Sequence, residues 1–362
     1  MIADAAKRKT CRYGTHRVLE PQGALPQAAW RLDNTPIAAE NEILCEVEAL
    51  SIDSASFRQL REAASGDPNA LGAAILATVA ERGKQHNPVT GSGGMFVGRV
   101  VEIGTALRGR CDAGVGDRIA SLVSLTLTPL WLERIRSVDL ATARVDVEGR
   151  AVLFACAHFA RLPDDIPTGV ALAVMDVAGA PAQVRRLAEP GSTVVVIGAD
   201  GKSGILACAQ AKARVGEGGR VVGIAPSGTT RGARLLKELG LVDDFIEADA
   251  RNAATLLEVL PRRIPGLADL VVNCVNVPGT ELASILCARD EGTVYFFSMC
   301  TSFTAAALGA EGVGKDVTMI VGNGYTRGHA EIALETLRRR RPLLDYFTDT
   351  YASTSLGTGG AA

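Results

Sequence analysis

A run of glycines between a predicted strand and a predicted helix is the feature of this sequence that points most directly to chemistry. Residues 194–207 read Val-Val-Val-Ile-Gly-Ala-Asp-Gly-Lys-Ser-Gly-Ile-Leu-Ala, an apolar strand, a turn and an apolar helix. The first glycine permits a tight turn, the second lets the backbone approach a pyrophosphate, and the third lets the helix pack closely on the strand. This context favours dinucleotide binding over a merely structural glycine turn. The residues predicted to bind the dinucleotide here are Gly198, Gly201, Lys202, Ser203 and Gly204.

The segment after the next strand bears on the type of coenzyme. NAD-binding folds usually place an Asp or Glu about 20 residues further on, where it hydrogen-bonds the ribose hydroxyls. Here strand residues 221–224 run into Ala-Pro-Ser-Gly-Thr-Thr-Arg, with no carboxylate at the strand end. Ser227, Thr229 and Arg231 are able to bind a 2′-phosphate instead, which favours NADP over NAD. The alternative is a solvated turn in which Thr229 or Thr230 caps the following helix.

Further residues follow the later predicted strands. The carboxyl ends of the strands form the ligand crevice in open α/β sheets, so residues at these ends are expected to line the nicotinamide side. They are Asn273, Cys274, Val275, Ser298 and Asn323. For Cys274, packing in the core is the preferred alternative.

Two regions of different periodicity must position these residues. Up to about residue 165, short alternating runs punctuated by glycine predict a β-rich, barrel-like unit with a helical insertion at 60–82. From about residue 166, continuous apolar strands of five or six residues alternate with amphipathic helices. Strands buried on both faces are typical of a parallel, doubly wound sheet. The predicted fold class is therefore α/β, a β-rich domain followed by a Rossmann sheet.

Composition limits the classes of function. The 362 residues allow two domains, and a net charge of -2 with interspersed signs argues against a nucleic-acid or membrane-surface binder. No apolar run approaches the roughly 20 residues that span a bilayer, and the charged N-terminus lacks an apolar signal-peptide core, so a cytoplasmic location is expected. The eight cysteines form no C-x-x-C pair and no cluster with histidine at ligand spacing, which predicts free thiols and no metal.

Several stretches resemble the medium-chain dehydrogenase/reductase superfamily along nearly the whole chain. They are residues 41–52, 98–104, 115–119 and 189–191 and the glycine turn. The resemblance implies a GroES-like catalytic domain over 1–165, completed by 326–362, and a Rossmann domain over 166–325. It also implies a homodimer or homotetramer, joined through the edge of the Rossmann sheet near residues 284–297.

The departures from that superfamily concern its zinc site. Zinc-dependent members carry a Cys-His pair where this chain has Asp53 and Ser54, and Gly-His-Glu where it has Gly93, Gly94 and Met95. The Cys-rich structural-zinc loop is absent as well. The comparison therefore implies an oxidoreductase without zinc.

Two long strings resemble a narrower family, the L-erythro-3,5-diaminohexanoate dehydrogenases. They are residues 11–23 and 83–95, and residues 41–57 match as well. The resemblance implies oxidative deamination of this diamino acid to 5-amino-3-oxohexanoate with release of ammonia, in bacterial lysine fermentation. The family's reaction is usually written with NAD.

Three residues are candidates for catalysis. Asp53 takes the place of a zinc ligand, which puts it beside the nicotinamide by resemblance; the alternative is a turn-capping Asp. Asp176 lies on an otherwise apolar helix that passes near the nicotinamide in the superfamily, with a surface carboxylate as the alternative. His86 lies in the glycine-rich string and is able to relay a proton, unless it only hydrogen-bonds its own loop.

Candidate substrate contacts come from the charge of a diamino acid, which carries two ammonium groups and one carboxylate. Arg17 or Lys84 is suited to the carboxylate, because Arg binds it in a bidentate manner. The full predicted set is Tyr13, His16, Arg17, Ser54 and Lys84. Each is also readily explained as an ordinary surface pair.

Two other functions fit parts of the pattern. A zinc-independent NADPH quinone or enone reductase accounts equally for the missing zinc ligands, because its substrate is uncharged and needs no base. A non-catalytic NADP(H) sensor accounts for the glycine turn alone. Charge in the substrate pocket distinguishes the diamino-acid enzyme from both.

Overall fold

The computed structural model describes residues 10–87, 91, 93–322 and 324–352, except for the side chains of Ser54 and Ala55. The chain divides into two compact units, Met1–Asp165 and Ile166–Ala362. The first is mainly antiparallel β-structure and the second is a parallel α/β layer fold.

The first unit is built on a six-stranded antiparallel sheet. Its strands are β3 (Glu42–Ser51), β4 (Met95–Ile103), β5 (Arg118–Ser121), β6 (Leu130–Asp139), β7 (Arg144–Phe154) and β8 (Phe159–Arg161), in the order β6-β7-β3-β4-β5-β8. A separate ribbon pairs β1 (Val18–Glu20) with β2 (Arg31–Leu32). Alternate residues of β3, among them Ile43, Cys45 and Val47, belong to one apolar core, as the period of a half-buried strand requires.

The helical insertion in the first unit consists of two helices. They are α1 (Ser54–Ala63) and α2 (Pro68–Arg82). Asp53 and Asp67 cap their N-termini, through bonds from the Ser56 and Asn69 N–H groups at 3.0 and 2.9 Å. Gly66 and Asp67 belong to the connection between them. Asp53 is thus the last residue before a helix that begins directly after β3.

The second unit contains the predicted parallel sheet. Its strands are β9 (Thr193–Ile197), β10 (Arg220–Ala225), β11 (Asp244–Glu247), β12 (Ala268–Asn273), β13 (Ala288–Phe296) and β14 (Val317–Val321). Their order, β11-β10-β9-β12-β13-β14, is the 3-2-1-4-5-6 order of a Rossmann sheet. The predicted fold class is confirmed. The edge strands of the sheet are β11 and β14, and β13 is paired on both sides; this corrects the edge expected near residues 284–297.

Helices cover this sheet and include the C-terminal part of the chain. They are α3 (Thr168–Met175), α4 (Gly179–Leu187), α5 (Lys202–Val215), α6 (Arg231–Glu238), α7 (Ala253–Arg263), α8 (Glu281–Cys287), α9 (Phe303–Val313), α10 (His329–Arg338) and α11 (Arg341–Tyr351). The last two pack on α3, α4 and α5. Residues 326–352 therefore belong to the second unit and do not complete the first, because Ala333 and Leu337 of α10 are buried within that unit. No described helix is long and apolar enough to cross a membrane.

Candidate active site

The glycine turn joins β9 to α5. Gly198 has a φ of 76°, which an L-residue rarely adopts, and a Cβ on Gly204 would lie 2.1 Å from the Gly198 carbonyl oxygen. A Cβ on Gly201 would meet the Gly198 carbonyl oxygen only at 3.6 Å. The first bond of α5 runs from the Ile205 N–H to the Gly201 carbonyl at 2.8 Å, so the preceding N–H groups face outward. The turn therefore offers an open cradle for a pyrophosphate at Gly201.

Substitutions in this turn should separate folding from coenzyme binding. We expect Gly204→Ala to destabilise the second unit by about 1–3 kcal/mol, because its Cβ overlaps backbone. Gly201→Ala should keep the fold and lower the affinity for NADH at least about tenfold, the equivalent of a lost bond to a charged phosphate. Thermal melting and calorimetric titration of both variants measure this. Normal coenzyme affinity of Gly201→Ala would contradict the cradle.

Asp176 and Lys202 lie together beside this turn. The Lys202 Nζ is 2.6 Å from Asp176 Oδ2, and both side chains are partly exposed. Asp176 ends α3 and Lys202 begins α5. The predicted catalytic carboxylate is therefore an ion-pair partner of a predicted coenzyme-binding lysine. This geometry places Asp176 beside the glycine turn.

Asn273 ends β12 in the interior of the second unit. Its Nδ2 donates to the Thr280 and Ser284 hydroxyls at 2.8 and 2.9 Å, and its Oδ1 accepts from the Val275 N–H at 2.9 Å. The side chain is fully buried. Asn273 thus fixes the backbone at Val275, and its side-chain amide hydrogen-bonds to other residues of the protein.

The other strand-end candidates are located as follows. Cys274 is partly exposed, and burial raises the pKa of its thiol to about 12 against a hydrogen bond with Ser203, so the thiol is protonated at pH 7. The Ser298 hydroxyl accepts from the Cys300 N–H at 3.1 Å. Asn323 lies outside the described residues.

The loop after β10 contains the residues expected to bind a 2′-phosphate. The Ser227 and Thr229 hydroxyls are 2.9 Å apart. The Arg231 Nη2 is 2.7 Å from Asp349 Oδ2, and its guanidinium lies 4.9 Å from the Tyr346 ring centroid. Arg231 is therefore held by α11, although an exposed pair of this kind is weak.

In the first unit, Arg17 and His16 converge on Glu42. All five N–H donors of Arg17 are used: both Glu42 oxygens accept at 2.7 and 2.6 Å, and three backbone carbonyls accept at 2.6–3.0 Å. His16 accepts the Cys11 N–H at Nδ1, so its Nε2 donates to Glu42 at 2.8 Å. Arg17 has no donor left for a substrate carboxylate. This corrects the predicted role of Arg17 as a substrate contact. The sequence did not reveal its partner, because Glu42 is 25 residues away along the chain.

A further predicted substrate contact is also bonded within the protein. Lys84 is fully buried, and its ammonium donates to the carbonyls of Pro26 and Gln27 at 2.8 and 3.2 Å. Burial lowers the pKa of Lys84 to about 8. Tyr13 is 54% exposed. Lys84 therefore anchors the segment before β2, a correction to its predicted role, and the Ser54 side chain lies outside the described part.

Asp53, Gln85 and His86 share a different property. Each has a buried polar atom without a hydrogen-bond partner among the described residues: Asp53 Oδ2, Gln85 Oε1 and His86 Nδ1. Buried polar atoms are normally satisfied, so such atoms mark a place for a ligand or water. Burial, with the nearby charges of Arg82 and Lys84, lowers the pKa of His86 to about 4, so its imidazole is neutral at pH 7.

The Gly93–Gly94 segment packs against the backbone of the two segments that carry these atoms. A Cβ on Gly93 would lie 2.4 Å from the Gln85 carbonyl oxygen, and one on Gly94 would lie 2.1 Å from that of Ser51. The segments that carry Asp53 and His86 therefore flank the same loop. Gln85 was not predicted as a site residue. Its only signal in the sequence is its position within the glycine-rich string.

The same loop explains the missing metal ligand. Gly94, which stands where zinc-dependent enzymes carry histidine, has a φ of 82° and no room for a Cβ. Among the residues described, no group of three or more His, Cys, Asp or Glu is placed to hold a metal ion. The local backbone is thus adapted to glycine.

Known proteins match both the sequence and this architecture. Residues 16–163 match the family model of the L-erythro-3,5-diaminohexanoate dehydrogenase N-terminal domain. The L-erythro-3,5-diaminohexanoate dehydrogenase of Acetoanaerobium sticklandii is 52% identical over 344 residues, covering 95% of this chain and 99% of that protein. This chain belongs to the L-erythro-3,5-diaminohexanoate dehydrogenase family. The family predicted from the two strings is confirmed.

Two further matches agree with this family assignment. The diaminohexanoate dehydrogenase of Fusobacterium nucleatum is 48% identical over 345 residues, covering 95% of this chain and 99% of that one. Among solved structures, a mycobacterial protein in complex with NADPH has a TM-score of 0.50 at 17% identity, covering 91% of this chain and 87% of its own. That likeness supports the fold alone. Together with the dehydrogenase relatives, the Rossmann architecture supports a nicotinamide coenzyme for this member of the diaminohexanoate dehydrogenase family.

Proposed function

We propose that this protein oxidatively deaminates L-erythro-3,5-diaminohexanoate to 5-amino-3-oxohexanoate and ammonia, with NAD or NADP as hydride acceptor, as a step of lysine fermentation. The named relatives support the reaction. The structural observation that carries it is the Asp53 carboxylate, whose Oδ2 is buried and has no described partner. An uncharged quinone or enone needs no such base.

The residues of the second unit fit the coenzyme. The N–H groups at the start of α5 and the open face of Gly201 suit a pyrophosphate, and Lys202 adds a positive charge beside it. When bound, the nicotinamide accepts the hydride from the substrate carbon that carries the amine. The chain's own side chains must supply the proton transfers.

Asp53 is suited to those proton transfers. An alkyl ammonium has a pKa near 10, by analogy with the ~10.4 of lysine, so its proton must be removed before the nitrogen lone pair can expel the hydride. The Ser56 N–H holds Asp53 Oδ1, which leaves Oδ2 to take the proton. Once that proton has passed to solvent, the same oxygen takes a proton from the water that adds to the imine carbon. It returns this proton to the nitrogen, which becomes a leaving group, and then accepts the hydroxyl proton as the carbonyl forms. The carbon–nitrogen bond breaks last and ammonia leaves.

Gln85 and His86 complete the polar surroundings. A neutral His86 adds no positive charge that would repel a substrate ammonium. The unsatisfied Gln85 oxygen is able to accept a hydrogen bond from that ammonium. Initial rates of coenzyme reduction with the diamino acid, set against NADPH oxidation by quinones, test the assignment. Turnover of quinones alone would favour the reductase.

The second unit also supports a proposal about assembly. We propose a cytoplasmic homodimer or homotetramer formed through β14, which is one of the two edge strands of the described sheet. Val321 on this strand is 49% exposed, and Phe303 and Leu308 of α9, the helix that precedes β14 along the chain, are 66% and 62% exposed. An unpaired edge beside exposed apolar residues favours pairing with a second copy.

A charge on that edge should prevent assembly. We expect Val321→Lys to give a monomer, because the lysine would be buried without a partner in the paired sheet. Leu257→Lys, at an equally exposed apolar position on α7, serves as the matched control and should leave assembly unchanged. Light scattering during gel filtration gives both masses. An unchanged mass of the Val321→Lys variant would contradict assembly through β14.

A further inference from the structure

The structure brings a carboxylate to the place where a Rossmann fold recognises the adenosine ribose. That place is the carboxyl end of the second strand, here β10. The sequence has no acid there, but the Thr230 hydroxyl, in the loop after β10, donates to Asp200 Oδ2 at 3.0 Å. Asp200 belongs to the glycine turn. The acid that is missing from the strand end is therefore supplied by the neighbouring turn.

The position of Asp200 is fixed from two directions. Thr230 is the N-cap of α6 and accepts the Ala233 N–H at 3.1 Å, so the hydroxyl that binds Asp200 is itself held in place. A Cβ on Gly232 would lie 2.1 Å from the Asp200 carbonyl oxygen, which shows how closely the turn packs on the start of α6. Asp200 forms no ion pair with any described residue.

The basic side chains of this loop are bonded elsewhere. Arg231 pairs with Asp349, Arg234 donates to the Thr229 carbonyl at 2.9 Å, and Lys237 donates to the Gly228 carbonyl at 3.0 Å. The charge held next to the ribose position is consequently negative. A 2′-phosphate placed there would meet a like charge, whereas a ribose hydroxyl would meet a hydrogen-bond acceptor.

We propose that Asp200 determines coenzyme specificity by accepting hydrogen bonds from the adenosine ribose of NAD and repelling the 2′-phosphate of NADP. This role rests on the proposed function only through the binding of a nicotinamide coenzyme. It opposes the preference for NADP that Ser227, Thr229 and Arg231 indicate when considered alone. The contact between Asp200 and Thr230 joins residues 30 positions apart, which no reading of the loop by itself reveals.

Binding of coenzyme fragments tests the role without turnover. Wild-type protein titrated calorimetrically should bind ADP-ribose roughly 100-fold more tightly than 2′-phospho-ADP-ribose, because like charges in contact are strongly unfavourable. Asp200→Ser should weaken ADP-ribose binding about tenfold and bring the two affinities close together. Asp200→Asn retains an acceptor for Thr230 and guards against loss of folding. Asp200→Asn should also reduce the ratio of the affinities for ADP-ribose and 2′-phospho-ADP-ribose.

Asp349→Asn is the matched control, because it frees Arg231 while leaving Asp200 in place. It should keep the preference for ADP-ribose. An unchanged preference in both Asp200 variants would overturn the proposal, as would a shift caused by Asp349→Asn alone, which would assign the role to Arg231. Since the fragments carry no nicotinamide, failure of the deaminase reaction would not affect this result.

Discussion

Replacing Asp53 by Asn is expected to lower kcat for the diamino acid by about 10²–10⁴-fold, the usual contribution of a positioned general base. The fold should be preserved, because Asn caps a helix as well as Asp and keeps the oxygen that accepts the Ser56 N–H. The free energy of unfolding should change by no more than about 0.5 kcal/mol. Steady-state rates and urea unfolding of the same preparation measure both quantities.

The pH dependence of the Asp53→Asn variant tests the role of Asp53 as a base more directly than the loss of rate does. Without the base, the neutral amine must come from solution, so kcat/KM of Asp53→Asn should rise about tenfold per pH unit below the pKa of the amine. Asp67→Asn is the matched control, because Asp67 caps α2 in the same way, and its activity should stay normal. Parallel pH profiles for wild type and Asp53→Asn would rule out Asp53 as the base.

The second large effect concerns stability. Glu42→Gln should destabilise the first unit by about 3–5 kcal/mol, because it leaves the Arg17 guanidinium buried without its counter-charge. Burial alone raises the pKa of Glu42, but the hydrogen bonds from Arg17 and His16 outweigh it, and the pKa falls to about 2. Because the folded pKa lies below the unfolded value of about 4.3, this stabilisation is complete above pH 4.3 and is lost as the pH falls towards 2.

Tryptophan fluorescence is a suitable probe for this prediction. Both tryptophans of the chain, Trp30 and Trp131, lie in the first unit, so urea unfolding followed by fluorescence reports on that unit. Wild-type stability should fall between pH 4.3 and 2, and the variant should lack the part of that fall due to Glu42. Glu40→Gln, at an exposed position two residues away, should behave as wild type. Equal stability of Glu42→Gln and wild type would contradict a structural role for the pair.

Local features of the second unit could be predicted from the sequence. The strand and the helix predicted on either side of the glycine turn are found as β9 and α5, because a buried apolar run and a glycine turn act through neighbouring residues. The path of the C-terminal segment could not be predicted in this way. Its helices bury an apolar face against α3 and α4. The periodicity of the sequence predicts that such a face exists but not which helices it packs against.

Side-chain roles were harder to predict than elements. Asp53 was predicted as a base with a turn-capping Asp as the alternative, and the structure shows that one oxygen caps helix α1 while the other is unsatisfied. Arg17 and Lys84 were chosen for their charge, yet their partners are Glu42 and the carbonyls before β2. The sequence shows which groups carry charge but not which distant groups neutralise them. Only three-dimensional proximity distinguishes a ligand contact from an internal one.

The most direct measurement is the stoichiometry of the reaction. Purified protein would be incubated with L-erythro-3,5-diaminohexanoate and either NAD or NADP, and reduced coenzyme, ammonia and 5-amino-3-oxohexanoate would be quantified together. We predict one reduced coenzyme and one ammonia for each molecule of the oxo acid formed. Bound coenzyme without reduction in the presence of the diamino acid would contradict the proposed function.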